Sequence, residues 1–125
     1  MHLLNILACS VHGNDKSSVG ALAIPVAMNL IKTKTKFKEA DDILEVTWSF
    51  LWNITDETPQ NCQIFLDNCD GMNAFMECIQ FKKSEIIRNM MGLLVCFFFS
   101  FSSLFKFKIY GSIYFFILYR AMLLK

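Results

Sequence analysis

With 125 residues the chain suffices for one small domain or a piece of a larger one, and a formal net charge of +1 excludes a polybasic nucleic-acid binder. The balance is uneven: all eleven acidic residues lie at or before Glu85, whereas residues 86–125 hold five of the twelve Lys/Arg and no acid. All three Tyr and eight of the thirteen Phe also fall beyond residue 94, so two regions are predicted, helical repeats over 1–94 and a Phe/Tyr-rich tail over 95–125.

Residues 3–11 predict a short helix, ended by a polar loop over 12–18. A second apolar run, 19–31, carries Pro25 in its middle, which should kink the helix or start a new one. Four Lys alternate with Thr and Phe over 32–38. The acids at 39, 41, 42 and 45 cancel them locally, so the stretch reads as a solvated loop and not as a nucleic-acid patch.

The stretch 42–58 is the organising element. Apolar residues at 46, 48, 50, 51, 52 and 54 are too dense for one amphipathic stripe, so the helix should be buried on most of its circumference. Asp42 is the expected N-cap, with Glu45 in the capping-box position. Trp52, Asn53 and Asp56 stand at spacings that place them on one side of the helix. An aromatic wall, an amide and a carboxylate on one ridge suit a small cationic or peptide-like ligand.

Thr58-Pro59 should close that helix and open the next, over 59–69, with Gly71 as a left-handed stop. A short helix over 72–81, with Met72, Phe75, Met76 and Ile79 inward, a loop over 82–85 and a helix from Ile86 to Leu94 complete the pattern. Long elements thus recur about forty residues apart around two short ones, the layout of an armadillo-type solenoid. The fold class expected is all-α, an armadillo-like repeat fragment; a small helical bundle is the alternative.

The five Cys (9, 62, 69, 78, 96) form an odd set with no Cys-x-x-Cys pair, and no signal peptide precedes them. Reduced thiols of a cytoplasmic or nuclear protein are expected. Cys62, Cys69 and Cys78 lack the spacing of a zinc finger, Cys9-x-x-His12 is equally weak, and no metal or cofactor is expected. The acceptor pattern Asn53-Ile-Thr55 falls in a buried helix and carries no meaning. No nucleophile–base pair or phosphate-binding glycine loop points to an enzyme.

At Trp48-Ser-Phe-Leu-Trp-Asn-Ile-Thr-Asp-Glu-Thr-Pro-Gln-Asn-Cys62, continuing through Phe65-Leu, Gly71-Met and Arg88-Asn-Met-Met-Gly-Leu-Leu94, the sequence resembles the Zyg-eleven/Zer-one family. These are armadillo-containing substrate receptors of cullin-2 ubiquitin ligases, and the wording at 48–62 is closest to the Zer-one branch. The resemblance implies binding of proteins that begin with an exposed glycine. Trp52 would pack against that glycine and exclude a side chain, Asp56 would pair with its ammonium group, and Asn53 would hydrogen-bond the first peptide unit. It also implies cullin-2 and elongin as partners of the full-length member, through regions expected to precede this segment.

This chain departs from the family pattern after Leu94. Cys96 stands where the family's groove helix has Asn, and Phe99 where it has Glu, so half of the expected pocket is missing. The tail beyond holds two apolar runs, 93–105 and 109–119, each shorter than the roughly 18–20 residues a spanning helix needs. Translation past an exon end into non-coding sequence explains its composition. A membrane contact through the tail, or a truncated product without function, are the other readings.

Overall fold

The computed structural model describes residues 1–100, which form six α-helices joined by short turns, with no strand among them. They are α1 (His2–Ser10), α2 (Gly13–Lys36), α3 (Asp42–Thr55), α4 (Pro59–Gln63), α5 (Gly71–Cys78) and α6 (Ser84–Ser100). A π-helical turn, Ile64–Asn68, extends α4, and a 3₁₀ turn, Ile79–Phe81, extends α5. The residues from 101 onward, with most of the tail and its membrane reading, lie outside the described part. Among the described residues no helix is long and apolar enough to cross a membrane.

Helix α3 is the centre. It lies between α1 and α6 and rests on α2. Leu44, Trp48, Phe50, Leu51 and Ile54 are fully buried, as the dense apolar pattern requires. Trp48 stacks on Phe75 with ring centroids 5.0 Å apart. Phe65 meets the edge of Phe75 at 5.5 Å and lies 5.4 Å from Phe97 of α6. These four rings fasten α3, the π turn, α5 and α6 into one core. The order α4–α5–α6 after α3 makes a three-helix unit whose long member packs beside the preceding long helix, as in an armadillo-like repeat.

The structure corrects three sequence expectations. First, α2 is one helix of 24 residues that takes in residues 13–18 of the predicted loop, most of the lysine stretch, and Pro25, which starts no new helix. Pro25 and Ala21 are both exposed, so water can serve the Ala21 carbonyl that proline leaves without its helical donor. Second, the N-cap of α3 is Asp41 and not Asp42; its carboxylate accepts from the Leu44 N–H at 3.0 Å. Asp41 also accepts from Lys34 Nζ at 2.6 Å, while Glu39 accepts from the same ammonium at 2.8 Å. The Lys34 hydrogen bond, then that from Leu44, lowers the Asp41 pKa, and Asp41 followed by Glu39 raises that of Lys34.

Third, the left-handed residue before α5 is Asp70 (φ 54°), one place earlier than predicted, and Gly71 is the first residue of the helix. Gly71 has a packing role instead: a Cβ there would stand 2.5 Å from Phe65 Cζ and closer still to two other ring atoms. Met72 and Met76 are partly buried and pack against the core, in line with the expected inward face, while Ala74 and Cys78 are buried beside Phe75 and Ile79. Helix α6 runs on through Leu94 without a break, and Cys96 and Phe97 are buried on it.

Candidate functional site

The candidate site forms where α3 ends. A helix terminus leaves its last carbonyls without intrahelical donors, and here those of Ile54, Thr55 and Asp56 find other partners. The Ile54 carbonyl accepts from Asn61 Nδ2 at 2.7 Å. That of Thr55 accepts from the Thr58 N–H at 3.1 Å and from the Cys62 thiol at 3.4 Å. The carbonyl of Asp56 accepts from Lys16 Nζ at 2.7 Å and from the Thr58 hydroxyl at 3.0 Å. Thr58 thus occupies the predicted N-cap position of α4, with Pro59 next, but its side chain turns back to Asp56.

Asp56 itself leaves the helix with φ −59° and ψ 129°, and Glu57 follows in the left-handed region at φ 54°. The sequence predicted three functional side chains on one helical ridge; the structure separates them. Trp52 and Asp56, with Glu57 and Pro59, form one side of an open cleft of about 660 Å³, and Gly92, Val95 and Cys96 of α6 form the other. Asn53 turns away: its Nδ2 donates to Asn5 Oδ1 at 2.8 Å, and Asn5 in turn donates to Ser49 at 3.2 Å, so this amide ties α3 to α1.

The two sides differ in chemistry. Asp56 and Glu57 are both exposed and stand just past the negative end of the α3 dipole, which favours a cation. Asp56 sits beyond the last turn, at the mouth. The α6 side is apolar apart from Cys96, whose Sγ donates to Asp56 Oδ1 at 3.4 Å. Burial, then the hydrogen bond to Asp56, pushes the Cys96 thiol up to about 12, so it remains protonated and serves as a donor.

Trp52 is half-buried and its indole lies flat on Gly92, where a Cβ would stand 2.6 Å from Cζ2 and closer to two further ring atoms. Sequence reasoning passed over Glu57, Pro59, Gly92 and Val95 as lining residues, although Glu57 adjoins a predicted site residue. A smaller hollow of about 340 Å³ between α2 and α5, lined by Lys32, Lys36, Asp70 and Glu77 among others, mixes both charges and has no aromatic wall.

Comparison with known proteins extends beyond the motif-bearing stretch. Residues 1–96 match the family described as "Protein zer-1 homolog-like, C-terminal domain". The chain is 48% identical over 95 residues to Zyg eleven-related protein 1 of Caenorhabditis elegans, covering 74% of this chain and 10% of that protein. It is 46% identical over 97 residues to protein zer-1 homolog of Homo sapiens, covering 75% of this chain and 12% of the relative. The Drosophila melanogaster protein zer-1 homolog is 45% identical over 97 residues, with the same coverage of 75% and 12%. The chain therefore spans only about a tenth of the length of these curated relatives. No solved structure matches it.

Proposed function

The chain belongs to the family of zer-1 homologues, and on that premise we propose that it is a partial substrate-recognition element of a cullin-2 ubiquitin ligase receptor, in which the Trp52–Asp56 cleft takes the free N-terminus of a protein beginning with glycine. The observation that carries this reading is the end of α3. One helix terminus presents an indole wall and two carboxylates, Asp56 and Glu57, to a single cleft, and among the described residues no lysine or arginine lines it. A protonated terminal amine, with a pKa of about 8, suits such a mouth, and a flat ring favours the smallest first residue.

Asn53 supports this reading less well than Trp52 and Asp56 do, because its amide is engaged with Asn5. In this proposal it acts by fixing α3 against α1, with a role at the first peptide unit requiring it to release Asn5. Catalysis of ubiquitin transfer belongs to partner subunits, and contacts with cullin-2 and elongin belong to the longer protein. Cytoplasm or nucleus is the compartment proposed.

The test is fluorescence anisotropy of the whole chain with labelled peptides that begin with Gly, with Leu, or with N-acetyl-Gly. Binding of the free Gly peptide should exceed that of the other two. Asp56→Asn should weaken it by about fivefold, the equivalent of roughly 1 kcal/mol for an exposed ion pair. Equal binding of the free and acetylated peptides would remove the amine from the recognition and with it the proposal.

A further inference from the structure

We infer that Gly92 sets the size selectivity of the cleft by seating the Trp52 indole against the bare backbone of α6. The inference rests on the peptide reading above and adds a specificity-determining position to it.

Glycine inside a helix is unfavourable relative to alanine, so Gly92, in the middle of α6, needs a local reason. Backbone conformation does not supply one, since among the described residues Gly13 is the glycine with positive φ and Gly92 is helical. Packing does. A Cβ at 92 would stand 2.6 Å from Trp52 Cζ2, with Cε2 and Cδ2 nearer still. Carbon atoms in contact rest about 3.5–4.0 Å apart, so the ring would have to move by roughly 1 Å. The indole cannot give way by rotating a flexible end, because the atoms met are in the rigid fused part of the ring.

Position matters as much as distance. Residues 92, 95 and 96 lie on one face of α6 and all line the cleft, which Trp52 bounds from the α3 side. Gly92 is thus where the Trp52 ring meets α6, and the Cys96–Asp56 hydrogen bond joins the two sides a second time. Its missing side chain lets the ring lie close to α6, which leaves the space beside Asp56 shallow. A ring displaced from α6 changes that space directly, and a smaller side chain at 52 deepens it.

The experiment combines Gly92→Ala with Trp52→Leu in the whole chain, reading thermal midpoint and affinity for peptides that begin with Gly or Ala. Gly92→Ala should lower the midpoint when Trp52 is present and raise it in the Trp52→Leu chain, where the helical preference for alanine is no longer opposed. It should also weaken binding of the Gly peptide by about tenfold or more, the usual consequence of one methylene misplaced in a fitted site. Trp52→Leu alone should bring the preference for Gly over Ala close to one.

A Gly92→Ala change with the same sign in both backgrounds, or unaltered discrimination between the peptides, overturns the inference while the peptide reading stands. If the unaltered chain holds neither peptide, the peptide reading fails and the selectivity inference fails with it.

Discussion

Replacing Asn61 by alanine should be among the most damaging single changes available, although the residue bears no charge and lies outside the cleft. Asn61 is fully buried, and its Nδ2 donates to Lys16 O at 3.0 Å and Ile54 O at 2.7 Å, bridging α2 and the end of α3. Two neutral hydrogen bonds contribute about 1 kcal/mol each, and an orphaned buried carbonyl adds about 1–3 kcal/mol. Against that stands a relief: Asn61 Oδ1 is itself buried without a partner, held where a Cβ on Gly20 would be. The net loss is about 2–4 kcal/mol, or on the order of 10–20 °C in the melting temperature of a domain near 100 residues.

Circular dichroism melts and urea titrations of the whole chain measure it. Asn61→Asp supplies the control of shape. It keeps the outline but replaces the donor with an acceptor facing two carbonyls, so it should be at least as destabilising as alanine. A loss under about 0.5 kcal/mol for alanine, or tolerance of aspartate, would refute the claim that the amide holds the α3 terminus together.

Two further outcomes follow from the packing. Gly71→Ala should destabilise by about 1–3 kcal/mol, since the new methyl group meets the Phe65 ring inside the four-ring cluster; Phe65→Leu should relieve most of that loss in a double-mutant cycle read by urea midpoints. Stability should also fall on the alkaline side. Burial raises the Cys78 thiol to about 11 and, with Asp56, raises Cys96 to about 12, against an ordinary value of 9.0. Their contribution is complete below the unfolded value and disappears as pH rises through the folded values. Melting temperatures between pH 8 and 11 should therefore decline, and Cys78→Ala should flatten the decline.

Much of the helix order was legible in the sequence because it depends on apolar spacing. The density at 46–54 predicted a buried α3, and Trp48, Leu51 and Ile54 are indeed fully enclosed. What escaped depends on where a face points. Pro25 reads as a kink or the start of a new helix, and the helix continues through it where it and Ala21 face water. Residues 12–18 read as a loop because their polarity is that of an exposed first turns of a helix as much as of a turn. Asp41 and Asp42 are chemically equal candidates for the cap, and Lys34, seven residues earlier, pairs with Asp41. The glycine at 71 looked like a stop because glycine commonly is one; only the Phe65 ring across the turn shows that lack of volume is the property used.

The candidate site shows the same limit at its sharpest. Helical spacing placed Trp52, Asn53 and Asp56 on one ridge, and spacing holds only while the helix continues. The helix stops at Thr55, so Asp56 swings to the mouth of the cleft, and Asn53 finds Asn5, 48 residues away in sequence. In exchange, α6 brings in Gly92, Val95 and Cys96. Composition changes near residue 95, yet the helix does not, and the cleft uses residues on both sides of that change. The outcome is an asymmetric cleft: its charge comes from the end of α3, while α6 supplies an apolar surface and one neutral thiol. An exposed carboxylate contributes about 1 kcal/mol or less to holding an amine, so most of any affinity must come from contact with Trp52 and the α6 face. Selectivity in such a site depends on how closely those two surfaces approach, more than on how strongly Asp56 attracts.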